Sequence, residues 1–339
     1  MKIPVIVRRF FESSAPSMEW VRLRIIALLV SIALLVVAFL LLYSELFGPP
    51  SQDDVEQFEF IVSPQDLEGD IAEKLEEAGL VRHAIAFRIA HGNETIRPGG
   101  YRVSLSMDAW TIADTLSRAP YLAWVTIPEG LRKEEVADLL ARELAWSEEE
   151  VATLLSASIA EAELSEGIFY ADTYLIPSDQ TPEQVASRFH ARLEDAVAPY
   201  ADEIAEHMLS WGEILTLASI VEKESAKNDK PMVAGILLNR IERDMMLQAD
   251  ATLQYIKGNE EDWWPTPQSE DKYLESPYNT YQHVGLPPQP IASPSLDSIL
   301  AVLRPQATSC LYYIHDSRGR IHCSRNYAGH VANIDLYLR

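Results

Sequence analysis

From Ile25 to Tyr43 the chain reads IIALLVSIALLVVAFLLLY without one charged side chain, and Leu46 and Phe47 extend the run. At 1.5 Å per residue such a helix comes close to the ~30 Å hydrocarbon layer of a bilayer. A helix in a soluble core usually keeps a polar face, and this one has none. Glu45, Phe47, Gly48, Pro49 and Pro50, which close or follow the run, do not make the small-residue cleavage site that ends a secretory signal. The pattern therefore predicts an uncleaved transmembrane anchor at 25–47. Lys2, Arg8, Arg9, Arg22 and Arg24 precede it, and no Lys or Arg follows until Lys74. The positive-inside rule then makes 1–24 a cytoplasmic tail and sets everything after residue 47 outside.

Past a Pro-, Ser- and Asp-rich linker at 48–56, short β-prone runs alternate with amphipathic helical patterns. FEFIV at 58–62, YRVSL at 101–105 and AWVTI at 123–127 are followed in turn by the helical patterns IAEKLEEAGL, IADTLSRA and VADLLAREL. A weaker copy has YLIP, then PEQVASRFHARL with Pro182 suited to a first helical turn. A hydrophobic residue followed by Ala recurs at matched positions: Ile71-Ala72, Ile112-Ala113, Val136-Ala137 and Val185-Ala186. This points to a duplicated small β-α unit, although any α+β domain alternates in a similar way. From Trp211 the texture changes to a long apolar helix, GEILTLASIVEKESAK, and a second, PMVAGILLNRIERD. A stretch rich in Pro, Tyr and Asn runs to Pro294, before the helix LDSILAVLR and a terminal β-hairpin, LYYIHD and RIHCSRNY, turning at Ser317-Arg318-Gly319. The fold class is α+β.

Composition narrows the partners. With 28 Lys+Arg against 51 Asp+Glu the net charge is −23, which repels a phosphate backbone, so nucleic acid is not expected as a partner. Hydrophobic residues at 47% and charged ones at 23% are ordinary for a folding protein. The two cysteines cannot form a disulfide framework or a zinc site. If the hairpin pairs Ser317 with Arg320, Cys310 faces Tyr327, and the thiols stand about four residues out of register, ~13 Å at ~3.3 Å per residue. No intramolecular disulfide is expected, although an extracytoplasmic compartment would permit one. HExxH, Walker A and GxSxG are absent, and the eight histidines do not cluster at ligand spacing, so neither a metal nor a cofactor is expected. SEDK at 269–272 matches SxxK but lies in an acidic loop without companion motifs.

One carboxyl stands out. On a wheel of 100° per residue with Leu217 at zero, Ile214, Ile220 and Val221 fall within about 60° and Glu224 about 20° away, while Glu222 lands near 140°. Burial on the apolar stripe disfavours the carboxylate and raises the pKa toward working pH, as a general acid requires. The same glutamate, four residues from Asn228-Asp229, is also compatible with a plain solvent-facing helix end, and position alone does not decide.

ASIVEKES (218–225), VAGILLNRI (233–241), LQADAT (247–252), YNTYQHVGLPPQPIASPSL (278–296) and EGIFYADTYLIP (166–177), with the IPEG turn at 127–130, resemble the successive signatures of the MltG/YceG-like family of endolytic murein transglycosylases. The resemblance implies a single-pass protein of the bacterial inner membrane, with a LysM-like peptidoglycan-binding domain at 57–122 and a catalytic domain at 123–339. It implies a lyase activity on nascent peptidoglycan strands, cleaving MurNAc-β-1,4-GlcNAc bonds to 1,6-anhydro-MurNAc ends beside cell-wall synthases. The Glu-Ser pair of lytic transglycosylases maps onto Glu224, as acid and base, and Ser225. Gln248, Asp250, Asn279, Thr280, Tyr281 and Asp172 are candidates for binding sugar, each with a turn-fixing role as the alternative. Asp172 and Asp250 are also the candidates for the second carboxylate that a muramidase would need. The family leads one to expect Pro at Ala171 and Ala251, Gly at Gln289, Asn at Ser293 and Gly at Ser295. These departures bear on the geometry of the 286–295 loop, and they leave room for a non-catalytic glycan-binding scaffold.

Overall fold

The computed structural model describes residues 18–66, 68–156, 166–226 and 228–338. Lys2, Arg8 and Arg9 and the expected tail before residue 18 lie outside the described residues. The chain divides into two units, Met1–Pro120 and Tyr121–Arg339.

In the first unit the apolar run forms helix α1, Met18–Phe47, with a mean hydropathy of 3.3 in its most apolar window and none of that window buried. It is long and apolar enough to cross a membrane. Its last residue, Phe47, turns into the small core of the unit and stacks on Trp110 with ring centroids 5.6 Å apart. Arg82 ties the same end down, donating to Glu45 at 2.7 Å and to the Pro49 carbonyl at 3.0 Å. Strand β1, Phe58–Val62, is followed by α2, Glu68–Glu77, and α3, Ala84–His91. Strand β2, Gly99–Val103, then pairs antiparallel with β1, Phe60 opposite Tyr101, and α4, Ala109–Ser117, completes the unit. Helix α3 interrupts the simple strand-helix alternation expected from sequence. Its inward side, Ala84, Phe87 and His91, follows helical spacing, and the Glu76 carboxylate accepts from the Ala84 N–H at 3.0 Å.

The second unit opens with β3, Leu122–Thr126, then α5, Lys133–Leu144, and α6, Glu148–Ser156. Strand β4, Thr173–Pro177, pairs antiparallel with β3, and α7, Pro182–Val197, starts on a capping box between Thr181 and Gln184. The four hydrophobic-Ala pairs are all buried, so each supplies the inward stripe of its helix. After a short α8, Ala201–Glu206, comes the central helix α9, Trp211–Glu224, capped by Ser210 and Glu213. Helices α10, Lys230–Ile241, α11, Asp250–Lys257, and α12, Leu296–Leu303, pack around it. The hairpin of β5, Tyr312–His315, and β6, Ile321–Ser324, leads into a final helix α13, Tyr327–Tyr337, over a stretch past Tyr327 for which the sequence pattern predicts no element. Its signal was Asn326, whose Oδ1 caps the Gly329 N–H at 2.9 Å.

The expectation that the cysteines stay apart is wrong: Cys310 and Cys323 form a disulfide with Cα atoms 5.8 Å apart. The hairpin register differs by one residue from the one assumed, with Tyr313 opposite Cys323. The loop holds one residue more, since Asp316 N–H donates to the Arg320 carbonyl and Gly319 takes φ +72°. More important, the ladder stops at Tyr312. Leu311 N–H also donates to the Ser324 carbonyl, making a bulge, and the Asn239 amide holds the carbonyls of Thr308 and Cys310. The chain therefore bends back at Cys310, where a straight extrapolation carries it away from its partner.

Closing a loop of this length constrains the unfolded chain by about 3 kcal/mol. The Cys310→Ser/Cys323→Ser variant is expected to unfold at lower denaturant with a loss of roughly 2–4 kcal/mol. Thiol titration of the unfolded wild-type chain without reductant should find no free thiol.

Candidate active site

Helix α9 is buried without a break from Ile214 to Val221, and it ends on Glu224. Ile291 reaches it from outside through its N–H, which donates to Ser219 Oγ at 3.0 Å. The carboxyl of Glu224 lies between two elements that approach from different sides. Ala251 N–H, in the first turn of α11, donates to Oε1 at 3.0 Å, and the Tyr313 hydroxyl, on β5, donates to Oε2 at 2.9 Å. Burial pushes this carboxyl above the usual range; the two donors pull the other way, and Asp250 pushes it up again. The C-terminal end of α9 adds a partial negative charge of its own.

Glu224 opens onto a cavity of about 660 Å³. Of the residues expected from sequence, Glu224, Gln248, Asp250 and Tyr281 line it. Asp250 accepts from the Tyr281 hydroxyl at 2.6 Å. Gln248 takes a left-handed backbone, φ +51°, held by its N–H on the Thr280 carbonyl at 3.0 Å. A non-glycine residue in that region costs free energy unless its surroundings fix it, and such positions cluster at functional sites.

Asn279 and Thr280 do not line the cavity. The Asn279 amide donates to the carbonyls of Leu274 and Lys272, and its Oδ1 accepts from Tyr281 N–H. Thr280 Oγ1 accepts from Ala249 N–H and shares a hydrogen bond with Thr252. Both are buried and carry the loop that presents Gln248 and Tyr281. Asp172 also stands apart from the cavity, accepting from Arg192 Nε at 2.7 Å and from Thr173 N–H. Ser225 caps α9, and its buried Oγ has no partner among the described residues.

Sequence reasoning missed the far wall. Arg240, Lys272, Tyr312, Tyr313, Tyr327 and His330 complete it. Arg240 is buried and donates to the Leu311 carbonyl at 2.6 Å and the Leu247 carbonyl at 2.6 Å, fastening β5 to the loop before α11. Tyr312 packs on His330 and Tyr327 of α13, with centroids 5.4 and 6.0 Å apart. The missing signal was register: Tyr313 reaches Glu224 only because the hairpin pairs as it does.

Glu222, two residues before Glu224, shows how local the tuning is. The wheel places it on the far side, yet it is largely enclosed. Burial would raise its pKa, but donors from Ser295, Ser298 and Lys230 together outweigh that and hold it low. The Ser295 N–H donates to it at 2.9 Å, Ser298 Oγ at 2.6 Å and Lys230 Nζ at 3.0 Å. Ser295, where the resemblance leads one to expect Gly, thus caps α12 and anchors Glu222 at an ordinary φ of −69°. Neither Ser293 nor Ser295 adopts a positive φ, so neither substitution strains the loop.

The raised pKa of Glu224 is a statement about stability. Between the ordinary glutamate value of 4.5 and the raised one, the folded chain binds more protons than the unfolded, so stability falls as pH rises through that window. Glu224→Gln keeps the shape and removes the charge, with its oxygen on Ala251 N–H and its amide donating to Tyr313. Thermal unfolding across pH should show the variant more stable than wild type at neutral pH, with the gain vanishing below pH 4.5.

The model of the YceG-like family matches residues 60–336. An endolytic murein transglycosylase of Streptococcus pneumoniae serotype 2 (strain D39 / NCTC 7466) is 29% identical over 305 residues, covering 78% of this chain and 55% of that protein. One from Bacillus subtilis (strain 168) is 26% identical over 271 residues, covering 73% of this chain and 74% of its own. The chain spans about half the length of the streptococcal relatives it matches. The crystal structure of a YceG-like protein of Listeria monocytogenes superposes with a TM-score of 0.54 at 27% identity, covering 82% of this chain and 99% of that one. The match begins inside β1 and ends within α13, taking in every residue that touches Glu224, and on that extent the chain belongs to the YceG-like family.

Proposed function

We propose that this protein is a membrane-anchored endolytic murein transglycosylase, in which Glu224 cleaves the MurNAc-β-1,4-GlcNAc bond of nascent glycan strands and leaves 1,6-anhydro-MurNAc ends. The observation that carries the reading is the placement of the Glu224 carboxyl, at the end of a buried helix and held by two donors, in a polar, aromatic-walled cavity. As acid, Glu224 gives its proton to the glycosidic oxygen while the bond to the anomeric carbon breaks and an oxocarbenium-like centre develops. As base, it takes the proton of the muramyl C6 hydroxyl as that oxygen closes on the anomeric carbon, so the carboxyl is restored and no water is consumed. Gln248, Asp250 and Tyr281, which line the cavity, would orient sugar hydroxyl and N-acetyl groups, while Ser225, whose Oγ is buried outside that lining, would stand behind Glu224 at the helix end. Asn279 and Thr280 would support that set from behind. The ion pair with Arg192 makes Asp172 a poorer choice for either a sugar ligand or a second acid.

The anchor reading has α1 spanning the bacterial inner membrane once, with the N-terminus cytoplasmic. The disulfide supports the outer placement of the second unit, because such bonds persist in oxidising compartments. In this reading residues 57–122 act as the LysM-like glycan-binding domain and 123–339 as the catalytic domain, beside cell-wall synthases that build the strand.

The test is digestion of purified nascent peptidoglycan strands by the full chain in detergent, read by mass spectrometry. Internal cuts ending in 1,6-anhydro-MurNAc are expected, with the Glu224→Gln rate reduced at least ~100-fold. Reducing ends, one water heavier, would instead indicate a muramidase and direct attention to Asp250, the second carboxylate in the cavity. Intact strands that co-sediment with a folded protein would indicate a scaffold.

A further inference from the structure

The two oxygens of Glu224 face different kinds of donor. Oε1 accepts from the Ala251 N–H, a backbone group fixed in the first turn of α11. A proton on that oxygen would sit against the positive end of the helix, where it is disfavoured. Oε2 accepts from a hydroxyl, which fills one lone pair and leaves the other open. That hydroxyl is held by the fold: β5 is fastened by Arg240 at Leu311, and by the disulfide between Cys310 and Cys323. Burial and the neighbouring carboxylates keep the Tyr313 phenol protonated, and so a donor.

We propose that Oε2 is the proton-carrying oxygen of Glu224 and that Tyr313 is its positioning residue, while Ala251 N–H locks Oε1 out of proton transfer. The proposal rests on the transglycosylase reading and deepens it. In the acid step the Oε2–H bond breaks and the proton passes to the glycosidic oxygen, which leaves with the electron pair of its bond to the anomeric carbon. In the base step the C6 hydroxyl proton returns to the same lone pair of Oε2 as the new C6 oxygen to anomeric carbon bond forms. Throughout, the Tyr313 O–H stays on the other lone pair, so that the proton meets the same geometry going out and coming back. Without it the acid proton has two orientations to choose from, and part of the population is misaimed.

The groups facing this carboxyl are few. Asp250 on α11 opposes ionisation, while His315 on β5 favours it. Among the described residues Arg240 on α10 and the Tyr281 hydroxyl, already committed to Asp250, also face it, and Lys272 and His330 of α13 line the same cavity. Both donors to Glu224 favour its ionised form, so deleting either should raise its pKa and carry the alkaline limb of the pH–rate profile upward.

The test compares pH profiles of the full-length wild type, Tyr313→Phe and Ala251→Pro on nascent strands. Ala251→Pro deletes one N–H in a first helical turn, where proline is tolerated, and restores the residue the family resemblance leads one to expect. For Tyr313→Phe, kcat should fall about tenfold with KM within about twofold, and the alkaline limb should move to higher pH. Ala251→Pro frees Oε1 to take the proton, so it should shift the limb in the same direction and lower kcat too, though by less than Tyr313→Phe, which misaims Oε2 itself. Should Tyr313→Phe fail to fold, 3,5-difluorotyrosine at position 313 keeps the hydroxyl; its stronger donation should move the limb to lower pH. A limb that stays put in Tyr313→Phe, or in the fluorinated protein, overturns the proposal, as does a kcat loss in Ala251→Pro equal to that in Tyr313→Phe. Those results leave the transglycosylase reading standing as long as wild type yields anhydro ends and Glu224→Gln does not. Cleavage by Glu224→Gln would overturn both.

Discussion

Helix α9 passes through the middle of the second unit with buried side chains on every face, and the one group it delivers to the cavity is a carboxyl at its last residue. Much of the surrounding architecture follows from having to hold that group. A carboxylate there loses water and meets the negative end of its own helix, while a neutral acid would need no donors at all. The observed arrangement supplies two, one from the start of α11 and one from β5, and leaves the balance above the ordinary glutamate range. Each unit of pKa corresponds to about 1.4 kcal/mol between the two protonation states, so a single hydrogen bond gained or lost is enough to move the group across its working range.

Holding two donors from two elements sets requirements further out. Helix α11 must begin where its first N–H groups face Glu224, and the Asn279 and Thr280 network fixes the loop against which that start is built. Strand β5 must keep Tyr313 at one height, and Arg240 does this by bonding both the strand and the loop before α11. The disulfide closes the base of the hairpin on the other side. Glu222 supplies the contrast. It shares the helix and much of the burial with Glu224, but two serines, Ser295 and Ser298, and Lys230 make it a fixed charge that anchors the start of α12. Two glutamates two residues apart on one helix take opposite roles because their oxygens meet different numbers of donors.

Much of this was legible in the sequence, and what was not had a common cause. The apolar run at 25–47 follows from length and composition, and the strands at 58–62 and 174–177 and the helices at 182–193 and 296–304 follow from periodicity, all of them local properties. Glu224 was only partly legible: the helix wheel puts it on the apolar stripe but leaves a solvent-facing helix end open, and the family resemblance makes the choice. Tyr313, Arg240 and the disulfide were not, because each depends on the register of a hairpin and on where its ladder ends. A one-residue error in the turn at Asp316 exchanges inward for outward side chains along both strands, and a bulge at Leu311 defeats linear extrapolation altogether. Helices α3 and α13 were passed over for a different reason: their apolar faces are short, and α13 buries no side chain fully, so its role is to wall the cavity rather than to build a core.

The chemistry proposed for this site gives those distant constraints a purpose. A carboxyl that acts once can tolerate a pKa well to one side of the working pH, since only its starting form matters. A carboxyl that gives a proton and then recovers one within a single turnover must be adequate in both forms, so neither burial nor hydrogen bonding can be allowed to dominate. Burial alone would leave a good acid that is slow to ionise; the donor set around Glu222 would leave a carboxylate that seldom holds a proton. Glu224 lies between these extremes, with one oxygen on a rigid backbone donor and the other on a side-chain hydroxyl. The positions of α11 and the terminal hairpin are then as much a part of the reaction as the glutamate itself.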